Sequence, residues 1–418
     1  MIKNFKTQPE FIEVKDVNKT VIHLLFFMKH QREDIVKNLL MRRIITTCNK
    51  KIENTTMYRK RIDELLIMNF SVKNVRYVNI DVLDVYFALP RENIIEDFSL
   101  DDALEFLYDS LFNPLEKDGE FDLEHFNWER DFLLNQESDF PHSIGEYASE
   151  EFLKFFDEEK RTELTEDEYI KQLNEVNSSD TYNYYLKNIK NNHFKTYIYG
   201  NLENKDKILK TYNKYFKQDI DSFDIDIEYY DFLSLLDYKE KTTKIKYNQS
   251  VLNLFYQIDN LKEEDLLKFD MLYYFLNSKE NDLIYDNLRN KNHLIYSAYM
   301  RRSIKYGVFG IRVFLSKEDI DNSLKIIDKT FDDIKNEDNF NIYKDRLLVS
   351  LQYDLYDEED EPFSVVNKKI NKDITIYYTL EEKLKLMKDI TFKDMCEFID
   401  RVKLTRKMTM IAGDKYEH

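Results

Sequence analysis

The chain has little punctuation. Its 418 residues include 6 glycines and 5 prolines, the residues that most often interrupt helices and strands. So few breakers exclude a collagen-like or low-complexity chain and leave little room for long irregular loops. Cysteine is as scarce. Cys48 and Cys396 are the two present, too few and too far apart for a disulfide framework or a cysteine-rich metal cluster. A reducing compartment is the simplest expectation. Long apolar runs are missing too: Val21 to Met28 is interrupted by His23, well short of the roughly 20 residues a membrane span needs. The opening MIKNFKTQPEF has neither the apolar core nor the small-residue cleavage site of a secretory signal, so a cytoplasmic location is expected. Positive charge is in deficit, with 62 Lys and Arg against 80 Asp and Glu for a net -18. That balance argues against nucleic acid, whose phosphates are bound chiefly by Lys and Arg. It suits a soluble protein, or one whose ligand is a basic peptide.

What is abundant is core material. Hydrophobic residues make up 43 %, with 30 Tyr and 30 Phe, so the chain buries real cores and is not disordered. Its length suits two domains of about 200 residues each. Strands are expected at 10–14 and 20–27, and helical spacing runs from Arg32 to about Ile45. A second helix at 56–66 reads as capped by Thr55 and Thr56. Strands at 70–77 and 79–89 follow, then helices at about 100–113 and 122–135. LTEDEYIKQL reads as a helix with a Thr N-cap and an acidic first turn. HFKTYIYG is a strand stopped by glycine, and 205–216 a helix. Residues 219–240 are acidic and irregular and read as a linker. Beyond it the order of elements repeats: DITFKDMCEFIDRV before LTRKMTMIAGD mirrors ELTEDEYIKQLNEV before HFKTYIYGN. The expected fold is α+β: two homologous α/β domains, 1–218 and 241–418, each a mainly antiparallel sheet packed with helices.

The stretch from Asp282 to Leu315, DLIYDNLRNKNHLIYSAYMRRSIKYGVFGIRVFL, says most about function. It reads as a helix with Leu283, Ile284 and Leu288 inward and Asp282, Asp286 and Asn287 toward water. A turn at 290–293 and two antiparallel strands about Gly307 follow. Arg289 falls at the end of the helix and Tyr296 near the start of the next strand, so both can converge on one carbonyl as an oxyanion or substrate clamp. The plainer alternative pairs Arg289 with Asp286 on a solvated face and makes Tyr296 an ordinary strand aromatic.

LIYDNLRNKNHLIYSAY resembles the segment of the pitrilysin/insulinase metallopeptidases in which a helix ending in Leu-Arg is followed by a turn and a Leu-x-Tyr-Ser strand. MYRKRIDELLIMNFSVKNVRYVNIDVLDVYFAL is similar to the family's helix and strand pair after its metal helix, and NPLEKDGEFDLEHFNWERDFLLNQ to its Asn-Pro, Phe, Glu-Arg helix. The resemblance implies a half-clamshell built from two homologous domains. It also implies that Arg289 and Tyr296 hold the backbone of a bound peptide.

Active members bind zinc through H-x-x-E-H plus a Glu on a later helix. Aligning NKKIENTT with the family's post-motif turn puts Leu39 and Arg43 where the His ligands belong and Arg42 where the base belongs. Counting from Glu129–Arg130 puts Gln136 at the distal ligand, with Glu137 adjacent. Arg neither ligates zinc nor accepts a proton at neutral pH. No replacement suggests itself, since among His23, His30, His125, His142, His193, His293 and His418 no two are three or four apart. Gly-x-Ser-x-Gly and P-loop patterns are absent, and the acidic runs 222–231 and 357–361 lack EF-hand spacing and read as solvated loops.

The resemblance therefore implies the non-zinc-binding subunit of a bacterial heterodimeric peptidase. Zinc is expected in a homologous H-x-x-E-H partner, and the substrate is a short unfolded peptide. The alternative is a catalytically silent scaffold. A third reading, a hydrolase using unrecognised residues, would require turnover by the isolated chain.

Overall fold

The structure, a computed structural model, describes residues 1–413 apart from 92–94, 96–97, 139–142, 157–162, 279–280 and 376–377. Its elements run β1 (Ile2–Lys6), β2 (Glu10–Glu13), β3 (Lys19–Lys29), α1 (Ile35–Ile44), α2 (Thr55–Glu64), β4 (Asn69–Arg76), β5 (Ile80–Pro90), α3 (Leu100–Phe112), β6 (Glu116–Lys117), β7 (Glu120–Phe121), α4 (Leu123–Ser138), α5 (Ile144–Phe155), α6 (Glu166–Glu175), α7 (Ser178–Tyr185), β8 (Phe194–Gly200), α8 (Lys205–Phe216) and β9 (Ser222–Asp226). They continue β10 (Lys239–Ile245), β11 (Ser250–Ile258), α9 (Leu266–Leu276), α10 (Leu283–Tyr285), β12 (Ile295–Ser303), β13 (Val308–Leu315), α11 (Ile320–Ile334), α12 (Glu337–Asp360), α13 (Ser364–Ile374), α14 (Leu380–Asp389), α15 (Phe392–Asp400) and β14 (Val402–Ala412).

The chain forms two compact units that are not contiguous in sequence. One comprises Met1–Pro141, Thr162–Tyr229 and Glu361–Thr375, the other His142–Arg161, Tyr230–Asp360 and Ile376–His418. Each holds a five-stranded sheet, ordered β2-β8-β3-β5-β4 in the first and β10-β14-β11-β13-β12 in the second. The two orders are the same pattern. In each sheet the first and last strands of the repeat pair in parallel, β2 with β8 and β10 with β14, and the remaining pairs are antiparallel. The α+β class and the duplication read from the sequence are borne out.

Period-two side-chain alternation makes each central strand buried on both faces. In β3, Ile22, Leu24, Phe26 and Met28 join the core under the first unit's helices, while Val21, Leu25 and Phe27 join a second core on the opposite face. Helix α13 closes that second face with Val366, Ile370 and Ile374, which share one helical stripe. The second unit repeats the plan. Leu252, Leu254 and Tyr256 of β11 face its helices, and α5 covers the other face, where Phe152 and Phe156 lie against Phe255. Arg312 of β13 ties α5 down by donating to the Gly145 carbonyl at 2.9 Å, Ser149 Oγ at 2.6 Å and Asn253 Oδ1 at 2.5 Å. These acceptors are neutral, and burial pushes the guanidinium down to about 10.

Several local expectations change. The N-cap of α2 is Asn54, whose side chain accepts from the backbone N–H of Thr56 and Met57, so the threonines follow the cap instead of forming it. Thr165 does cap α6, in a reciprocal box with Glu168. Within the stretch read as a linker, Ser222–Asp226 pair antiparallel with β1. The acidic residues from Asp357 to Asp360 lie in the last turn of α12, not in a loop.

Candidate functional site

The segment from Asp282 to Leu315 folds as a short helix, a turn and a strand pair. Asp282 caps α10 by accepting from the Tyr285 N–H, and residues Asp286–Asn290 then widen into a π-helical turn. Such widened turns are rare and recur at functional positions. Leu283, Ile284 and Leu288 are buried as the spacing implied. Asn287 is not solvated as expected: it is buried and donates to Thr330 Oγ1 at 2.9 Å. His293, at φ 56°, turns the chain into β12. Gly307, at φ 67°, turns it back into β13, and a Cβ there would collide with Leu261.

Arg289 lies in the last part of the widened turn with its side chain partly buried. Its Nη1 donates to the Ile295 carbonyl at 2.8 Å, while Asp286 accepts from Asn290. Ile295 immediately precedes Tyr296, so the guanidinium fixes the backbone that carries the phenol. The β12–β13 register slips at that point: Ile295 opposes Leu315, Ser297 opposes Phe314, and Tyr296 is the extra residue between them. A bulge of this kind bends an edge strand and re-aims one side chain. Tyr296 stands 50 % exposed, its hydroxyl 2.9 Å from Ser316 Oγ. Sequence reasoning missed Ser316. The hairpin register brings Leu315 opposite Ile295, but the bulge that sets Ser316 beside Tyr296 has no sequence signature here.

At the positions that the sequence resemblance would align with a metal site, α1 packs beside α4. Leu39, Arg42 and Arg43 lie on one face of α1, the first a partly buried member of the core. Arg42 Nε donates to Asn38 Oδ1 at 2.9 Å, and Asn38 Nδ2 donates to the Tyr184 hydroxyl at 3.2 Å. Burial lowers the Arg42 guanidinium from its ordinary value. Arg43 Nε donates to Glu129 Oε2 at 2.6 Å, and its guanidinium sits 4.5 Å above the Phe132 ring. Glu129 is fully buried, so its charge is matched by a guanidinium. Gln136 is exposed on α4, and the Glu137 side chain lies outside the described part.

Two groups beside this pair are inert. Cys48 Sγ is 3.9 Å from His125 Nδ1, and His125 Nε2 is 2.9 Å from Thr47 Oγ1. Burial raises the Cys48 thiol and lowers His125, which keeps both neutral and removes thiolate character. Among the described residues no cluster of three or more His, Cys, Asp or Glu could hold a metal ion. Guanidinium, amide and leucine are not zinc donors, so the residues present do not fit that ion.

The fold is that of the M16 peptidases: the chain superposes over its full length on a peptidase M16 inactive domain from Pseudomonas fluorescens, with TM-score 0.69, 12 % identity and 99 % of that chain covered. It also superposes on a conserved protein from Enterococcus faecalis V583, with TM-score 0.76, 17 % identity and 100 % of both chains covered. Against the periplasmic protease PqqL from Escherichia coli, 98 % of this chain matches 47 % of that one at TM-score 0.70 and 9 % identity. Residues 175–347 match the family model described as the peptidase M16 inactive domain, which bears out the resemblance to the pitrilysin/insulinase peptidases. No curated protein matches the sequence. Among the described residues, no helix is long and apolar enough to cross a membrane.

Proposed function

We propose that this protein is the non-zinc-binding subunit of a heterodimeric zinc metallopeptidase that cleaves or processes small peptides in the cytoplasm. The reading is supported by the Arg43–Glu129 ion pair, a guanidinium and a buried carboxylate at a position that the resemblance aligns with a metal-ligating histidine. Zinc, water and general base then come from a homologous partner bearing H-x-x-E-H. This chain supplies grip. Tyr296 presents a half-exposed phenol at a bulge and donates to a carbonyl of the extended peptide. Arg289 keeps further N–H donors beyond the one bound to Ile295 and holds both the strand and the peptide backbone.

The test is reconstitution. Purified protein mixed with its zinc-bearing homologue should cleave unstructured peptides that neither chain cleaves alone. Tyr296→Phe should lower kcat/KM of the mixture by about 10- to 100-fold, an amount set by losing one hydrogen bond to a developing oxyanion. Unchanged kcat/KM would defeat the clamp.

One observation favours the second reading, a silent scaffold: the Arg289 hydrogen bond to Ile295 is a structural engagement in its own right. Under that reading removing the subunit abolishes activity while Arg289 and Tyr296 substitutions leave it intact.

A further inference from the structure

Helix α12 carries an unusual second face. Its inner side buries Phe340, Leu347 and Leu351 in the second unit's core. Its outer side exposes Ile342 at 48 %, Val349 at 53 %, Tyr353 at 67 % and Tyr356 at 57 %. Ile342, Val349 and Tyr356 recur at intervals of seven, the spacing of a helix-packing seam. A solitary exposed apolar side chain needs no explanation, but a stripe along a 24-residue helix does.

The arrangement about Val349 selects the occupant. Ile342 and Tyr356 lie seven residues to either side of it. A twofold axis through Val349 therefore pairs two α12 helices antiparallel, with Ile342 against Tyr356 of the other copy and Val349 against itself. The flanks complement one another in the same register. Arg346, exposed beside the stripe, comes to face the ring of Tyr353 in the other copy, and Asp345 comes to face Gln352. Each match occurs twice by symmetry, giving two cation–π contacts and two carboxylate–amide hydrogen bonds around an apolar seam. A parallel arrangement would instead stack Arg346 on Arg346 and Asp345 on Asp345.

We infer that α12 is a self-association surface for a second copy of this chain, packed antiparallel about Val349. The inference does not rest on the peptidase reading. Each copy carries -18, so long-range repulsion opposes the contact and added salt should strengthen it, the reverse of a charge-driven assembly.

The experiment uses the full chain. Sedimentation across a concentration series should show a monomer–dimer equilibrium shifting toward dimer between low and high salt. Val349→Glu, which sets two carboxylates together on the axis, should weaken association by at least about tenfold. Disulfide trapping checks the register. Val349→Cys should cross-link to itself, and Ile342→Cys should cross-link to Tyr356→Cys but not to itself, with the parent chain controlling for Cys48 and Cys396. A chain monomeric at every concentration and salt, a dimer indifferent to Val349→Glu, or Ile342→Cys linking to itself would each overturn the inference.

Discussion

Arg43 and Glu129 meet across two helices, Nε to Oε2 at 2.6 Å, with the carboxylate fully buried and the guanidinium resting on Phe132. A buried carboxylate tolerates the loss of its cation poorly, because the charge stays behind without compensation.

Arg43→Met should therefore destabilise the protein by about 3–5 kcal/mol in urea unfolding. Adding Glu129→Gln removes the stranded charge and should recover a substantial part of that loss. A double-mutant cycle with no coupling between the two positions would show that the pair does not hold α1 to α4.

Arg289 and Tyr296 should separate in stability. Arg289→Ala strips a partly buried carbonyl of its donor and should cost about 1–3 kcal/mol. Tyr296→Phe alters a half-exposed hydroxyl and should stay within about 0.5 kcal/mol of the parent. Chemical denaturation of both variants decides this, and equal losses would contradict the division between a positioning guanidinium and a presented phenol.

The capping carboxylate of α6 makes stability depend on pH. A hydrogen bond from Arg32, with those from the Thr165 backbone and hydroxyl, brings Glu168 down from 4.5 to about 2. A carboxyl depressed on folding adds stability that is complete above its unfolded value and fades as pH falls through the folded one. The parent should thus exceed Glu168→Gln in denaturant midpoint at pH 7, less so at pH 3 and not at all below about 2. A constant gap across that range would mean that the charge plays no part.

Continuity of sequence and continuity of structure part company at α13. Residues 361–375 belong to the first unit, where Val366, Ile370 and Ile374 close the face of β3 that carries Val21, Leu25 and Phe27. Residues 1–229 expressed alone should expose this apolar face and bind a hydrophobic dye, and the 361–375 peptide supplied in trans should suppress the binding. Each covered side chain is worth about 1.5–3 kcal/mol of burial. A fragment as stable without the peptide as with it would remove α13 from the account.

Much of this was legible in the chain. The apolar run from Val21 to Met28, interrupted by His23 alone, announced a strand, and Gly307 between two β-rich runs announced the hairpin. Helix α12 was hidden because apolar residues occupy both its faces, Leu347 inside and Val349 outside, so no single stripe stands out. The assignments of α5 and α13 were hidden for another reason. Which unit a helix covers depends on long-range packing that local periodicity does not encode, and the same holds for the bulge at Tyr296.

The central claim is that this chain grips peptide and leaves the metal chemistry to a partner. Peptide cleavage by a complex reconstituted from this chain and its zinc-bearing homologue, with metal content measured on each separated subunit, tests it most directly. The account predicts zinc on the partner alone, no turnover by this chain by itself, and a fall in kcat/KM with Tyr296→Phe. Turnover by the isolated chain, or stoichiometric zinc bound to it, would contradict the account.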